Sequence, residues 1–166
     1  AMIGQALPQQ LPLFRFWAVR DDRATAGPVA STRGGVTIIE NSVRGTENFE
    51  FDYQGRWCHS TGNIETGDTN SYSSMPDDVA LLRFSGTTLR FYGIKDANHG
   101  VAAISIDGGA EVDMDEYSPV RVAQALLFTS SRLTPGEHVA KIRVTGRKHP
   151  DSRYVWVAVD RIEIER

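Results

Sequence analysis

The chain has 166 residues, with 18 Lys or Arg against 21 Asp or Glu, so its formal charge is −3 with His neutral. One compact domain fits that length, and the 40% hydrophobic fraction can fill its core without covalent staples. No Lys/Arg cluster offers an electrostatic footprint for nucleic acid or an anionic membrane, and no apolar run reaches the ~20 residues of a membrane helix. No charged segment followed by an apolar one marks a signal peptide. A lone cysteine, Cys58, excludes an intramolecular disulfide and a multi-cysteine metal site.

Residues 1–35 read as a linker, a tail or the remnant of a neighbouring domain. Pro8, Pro12 and Pro28 break any long element, yet 11–19 (LPLFRFWAV) is apolar enough to need a packing partner. From Val36 onward the dominant period is two, with β-branched and aromatic residues in short runs cut by Gly, Asp and Asn. Strands are predicted at Val36–Glu40 and at 49–53, where Phe49, Phe51 and Tyr53 share a face. Val79–Ser85 and 88–94 flank Gly86-Thr87, a hairpin or sheet corner. Val101–Ile106 meets Asp107-Gly108, a strong hairpin signal, and 111–116 returns antiparallel. Strands at 125–129, at Glu137–Val144 and at 154–164 follow, the last reading as central because both faces near its start look buried. About nine short strands and no long helical pattern predict an all-β fold, an antiparallel β-sandwich of jelly-roll type, over residues 36–166.

The chemistry-bearing residues argue mostly against catalysis. His59, His99, His138 and His149 show no metal-ligand spacing, and His138 falls on the apolar face of its strand as a packed core residue. No Gly-x-Ser-x-Gly elbow occurs. Cys58 and His59 would point to opposite faces of a strand, so Cys58 reads as a packed thiol. Asp113 and Asp115 share a face and read as a solvated edge. The richest composition lies at 55–78, where Trp57, His59 and Tyr72 sit among Ser60, Thr61, Asn63, Thr69, Asn70 and Ser71. Aromatic rings amid small polar side chains suit a sugar, which offers a C–H face for stacking and a rim of hydroxyls for hydrogen bonds. Trp57 reads equally well as a plug in the core.

Several segments together resemble the galactose-binding-domain-like β-sandwiches appended to bacterial glycoside hydrolases, the group that includes many carbohydrate-binding modules. They are Tyr53-Gln-Gly-Arg-Trp57, Gly67-Asp-Thr-Asn-Ser-Tyr72, Leu82-Arg-Phe-Ser-Gly-Thr-Thr-Leu-Arg-Phe-Tyr-Gly93, Lys95-Asp-Ala-Asn-His-Gly100, Ile104-Ser-Ile-Asp-Gly-Gly109, Leu133-Thr-Pro-Gly-Glu-His138 and Val157-Ala-Val-Asp-Arg-Ile162. The resemblance implies a non-catalytic module that holds a parent polysaccharide-degrading enzyme on its glycan, extracellular and monomeric. Trp57 and Tyr72 would be stacking platforms, with Asn70, Lys95, Asp96 and His99 as hydrogen-bonding groups and Tyr117 and Arg121 as further candidates. It also implies a structural Ca²⁺ held by Glu40 and Asp160; the alternative for Asp160 is an ion pair with Arg161 or Arg166. Two other readings stay open: a structural domain packing on a catalytic neighbour without binding glycan, and a small jelly-roll lyase or hydrolase.

Overall fold

A computed structural model describes residues 29–60 and 69–166. Among them the chain forms twelve strands and no helix: β1 (Ser31–Arg33), β2 (Val36–Glu40), β3 (Phe51–Gln54), β4 (Cys58–His59), β5 (Ser71–Ser73), β6 (Val79–Ser85), β7 (Thr88–Lys95), β8 (Val101–Ile106), β9 (Val112–Asp115), β10 (Val122–Thr129), β11 (Glu137–Val144) and β12 (Val157–Glu165). Every pairing between strands is antiparallel. One sheet has five strands in the order β3-β6-β11-β8-β9. The other has seven and is organised around β12, the central strand that its apolar run predicts. β7 and then β10 lie along one edge of β12; β2 and β5 lie end to end along the other, continued by β1 and β4.

Period-two patterning builds the core between the sheets. On β11, His138, Ala140, Ile142 and Val144 are buried while Glu137 and Val139 are exposed, and Ala80, Leu82 and Phe84 do the same on β6. Phe51, Phe84, Phe91, Ile39, Ile104, Ile142, Ile162 and Ile164 meet in one apolar cluster. Each such side chain contributes about 1.5–3 kcal/mol on burial. Gly86-Thr87 proves to be the sheet corner, since β6 and β7 belong to different sheets. Asp107 and Gly108 both take positive φ, at 52° and 70°, and the Gly109 amide donates to Ile106 O at 2.9 Å, which closes the β8–β9 turn as expected.

The structure departs from the sequence expectation at several points. β1 extends the sheet ahead of Val36, and Ala30 packs on the core, whereas the 11–19 segment lies outside the described residues. Phe49 has a φ of 64°, so β3 begins only at Phe51. Cys58 is exposed rather than packed, because β4 is a two-residue strand that, among the described residues, pairs with β5 alone. β10 starts earlier than predicted and carries two register shifts, with Gln124 at φ 52°. These bulges twist the open edge of the seven-stranded sheet.

The irregularity that positions the candidate site is in β12. Its pairing with β7 shifts register between Val159 and Arg161. Val157 and Val159 face the core before the shift, and Ile162 and Ile164 face it afterwards. The bulge at Asp160 therefore keeps the core continuous and divides the outer face of β12 in two. Beyond it the outer face is charged: the Arg161 guanidinium sits 4.1 Å over the Tyr92 ring, and its Nε donates to Glu163 at 3.0 Å. Ahead of it the outer face carries Ala158 and, just upstream, Trp156.

Candidate binding site

That upstream half of β12 forms one wall of a cavity of about 340 Å³. Ala158, Trp156 and Tyr72 supply its apolar surface. Tyr72 reaches it because β5 pairs with β12 in a register that places Tyr72 directly opposite Ala158. Directly opposed residues share a sheet face, and the Tyr72 and Trp156 rings accordingly meet edge to face, with centroids 5.3 Å apart at 79°.

The polar side comes from the loop between β7 and β8, which carries Asp96, Asn98 and His99, and from Arg121 just before β10. Asn70 and Ser60, at the β4–β5 edge, complete the lining. The loop is held by main-chain bonds on both flanks. The Trp156 amide donates to Asn98 O at 3.3 Å, the Gly100 amide to Trp156 O at 2.7 Å and the Arg153 amide to Ala97 O at 2.9 Å. Asp96 pairs with Tyr117 through an isolated bridge, and its Oδ2 accepts from Arg121 Nη1 at 3.2 Å. The cavity thus presents carboxylate, amide, imidazole and guanidinium groups opposite two aromatic rings, on a frame fixed before any ligand arrives.

Behind this wall lies a buried acid. Glu116 is fully buried, and its Oε2 accepts the Ala158 amide at 2.8 Å. His99 Nδ1 is 2.7 Å from the carbonyl of Ile94, which can only accept, so Nδ1 carries a proton. The same nitrogen stands 3.4 Å from Glu116 Oε2, and in the neutral ring Nε2 is left as the acceptor. Glu116 Oε1 has no hydrogen-bond partner among the described residues. Burial pushes the Glu116 carboxyl up to about 7, against the opposing pull of His99 and the Ala158 amide. Gly93 makes room for this arrangement: a Cβ there would stand 2.5 Å from Leu127 Cδ1 and 2.7 Å from Ala158 O.

The cavity brings together Asn70, Tyr72, Asp96, His99 and Arg121 from the residues singled out in the sequence. Trp57 stands apart from it. Its Nε1 donates to Gln54 O at 3.2 Å and to Val79 O at 3.1 Å, and its ring lies 5.1 Å from Tyr53 against the core. That is the plug alternative. Lys95 ends β7 outside the lining, and Tyr117 stacks on His149 at 4.4 Å, with ring planes 8° apart, beside the Asp96 wall. Sequence reasoning missed Trp156, which it assigned to a buried face of the last strand. The period-two series Tyr154, Trp156, Ala158 was the available signal. It was hidden because the bulge at Asp160, which turns this face outward, leaves no mark in the residue pattern.

Glu40 is exposed and lies opposite Arg161 in the ladder, while Asp160 is buried with Oδ2 3.4 Å from Arg161 Nη1. Burial raises the Glu40 carboxyl, and Arg161 draws it back down. Among the described residues no group of three or more His, Cys, Asp or Glu side chains is placed to hold a metal ion. A hard cation taking six to eight oxygens would therefore need backbone carbonyls and neutral side chains beside these two carboxylates.

No family model matches the chain. Over 91 residues, 54% of its length, it is 33% identical to the A type blood N-acetyl-alpha-D-galactosamine deacetylase of Flavonifractor plautii. Over the same length it is 31% identical to the A type blood alpha-D-galactosamine galactosaminidase of that organism. It spans only 12% and 8% of these two proteins. Among solved structures, a two-domain esterase active on acetylated mannans matches 79% of this chain and 36% of its own, with a TM-score of 0.58 and 19% identity. The fold is thus the all-β sandwich that the sequence resembles.

Proposed function

We propose that this domain is a non-catalytic carbohydrate-binding module and that the β12 cavity is its glycan site. The observation that carries the reading is the pairing of Tyr72 and Trp156 on one side of the cavity with Asn70, Asp96, Asn98, His99 and Arg121 on the other. A pyranose needs both kinds of surface: its C–H face stacks on a ring, and its hydroxyls exchange hydrogen bonds with amides and charged groups. At about 340 Å³ the cavity is at the small end of small-molecule sites, the scale of a sugar unit rather than a chain segment. Few groups become buried, so the dissociation constant falls between about 1 μM and 1 mM.

The two Flavonifractor plautii relatives support a carbohydrate context, since both are named for activity on a galactosamine sugar and both are far longer than the stretch they share with this chain. In this reading the domain works outside the cell beside a catalytic domain of the same polypeptide, and brings that domain to its polysaccharide. Asp96 is engaged by Arg121, and the Glu116 carboxyl is fully buried behind the wall and outside the cavity lining, an arrangement that suits recognition better than bond cleavage.

The test is a glycan array followed by calorimetry on the hits, with the folded domain and its Trp156→Ala variant. Binding by the parent domain and at least tenfold weaker binding by Trp156→Ala, with an unchanged circular dichroism spectrum, are expected. Absence of any ligand on the array, or full binding by Trp156→Ala, overturns the reading.

A further inference from the structure

We infer that the site continues beyond the cavity onto the ring of Tyr154, which forms a second sugar subsite, so that the ligand is an oligosaccharide of at least two units. This rests on the glycan reading of the cavity. Tyr154 is 49% exposed, and its ring packs on Trp156 with centroids 5.4 Å apart and planes at 47°. Large aromatic rings left in water beside a polar cavity are surfaces that a ligand can cover. The rings of Tyr72, Trp156 and Tyr154 form an unbroken file in which Trp156 touches both neighbours. Tyr72 and Trp156 line the cavity, and Tyr154 lies outside it.

The main chain that carries Tyr154 is held from below. Ser152 is 2% exposed, and its hydroxyl donates to His99 O at 2.6 Å and lies 2.8 Å from Tyr154 O. The Lys148 ammonium donates to Ser152 O at 2.5 Å. His99 is part of the cavity wall, so the same short segment fixes the position of Tyr154 relative to the cavity. A fixed main chain and the contact with Trp156 restrict where the ring can lie, which lowers the cost of ordering it when a sugar stacks on it. A chain whose first unit occupies the cavity would leave past Trp156 and lay its second unit on Tyr154. An isolated monosaccharide could not use the outer ring.

Calorimetry with galactose, N-acetylgalactosamine, mannose and xylose, each against its own homodisaccharide, tests this in the folded domain. For the sugar that binds, the disaccharide should bind about fivefold tighter than the monosaccharide. Tyr154→Ala should abolish that gain, so that mono- and disaccharide bind it with the same constant, Tyr154→Phe should keep the gain, and Trp156→Ala should weaken both ligands. Equal constants for mono- and disaccharide, or a gain that survives Tyr154→Ala, overturn the second subsite while the cavity reading stands. No binding by any of the eight sugars overturns the second subsite, and an empty glycan array overturns the cavity reading with it.

Discussion

Glu116 provides a test of the buried wall that does not depend on finding the ligand. In the unfolded chain its carboxyl titrates near 4.5, and in the folded protein near 7, because burial disfavours the charged form more than His99 and the Ala158 amide favour it. The folded state therefore holds this proton more tightly than the unfolded state does. Its contribution is fully present below pH 4.5 and is lost as pH rises through 7. The gap between 4.5 and about 7 corresponds to about 3 kcal/mol, lost progressively between pH 4.5 and roughly pH 8.

Glu116→Gln keeps the shape and an acceptor for the Ala158 amide while removing the titration. Urea unfolding of both proteins across pH 4.5–8.5 should show the variant gaining on the parent by about 3 kcal/mol over that range, close to 10 °C in melting temperature at the alkaline end. Any fixed cost of the amide shifts the whole difference without changing its slope. Titration of His138 is common to both proteins and cancels. A difference that stays constant with pH would refute the argument that Glu116 is a desolvated, half-orphaned acid.

The two tryptophans should separate function from stability: Trp57→Ala is expected to cost about 2–4 kcal/mol of unfolding free energy in a denaturant melt, while Trp156→Ala acts mainly on ligand affinity. His138 is buried and donates from Nδ1 to Asp107 at 2.6 Å and from Nε2 to Thr134 O at 2.8 Å, which raises its pKa and lowers that of Asp107. The stability it brings is complete below its unfolded value of 6.5 and disappears as pH rises through the higher folded value, so His138→Gln should flatten the melting-temperature profile above pH 6.5. Calcium at Glu40 and Asp160 should raise the melting temperature at millimolar Ca²⁺ and EDTA should reverse it, whereas equal melting temperatures would leave Asp160 to its Arg161 contact. Loss of the Ca²⁺-dependent rise in Glu40→Gln would assign the ion to this pair.

Much of the fold was legible in the residues themselves. Alternation on β6 and β11, the doubly apolar run of β12 and the positive-φ Asp107-Gly108 pair are local properties, set by side-chain period and turn chemistry. The polar loop Lys95-Asp-Ala-Asn-His-Gly100 and Tyr72 were legible as site material because their residue types suit a sugar wherever they meet. Which of them meet was decided only by tertiary structure. The register of β5 on β12 sets Tyr72 beside Ala158, and the bulge at Asp160 turns Trp156 and Ala158 out of the core while Val157 and Val159 stay in it. The turn after β3 carries Trp57 inward, where two carbonyls take its N–H. A single-residue bulge switches which set of alternate positions faces the core, so the side of β12 that Trp156 shares depends on a feature that composition and period cannot announce. For that reason the sequence determined the sandwich and the kind of residues at its site, while the packed structure decided which tryptophan belongs to the ligand and which to the core.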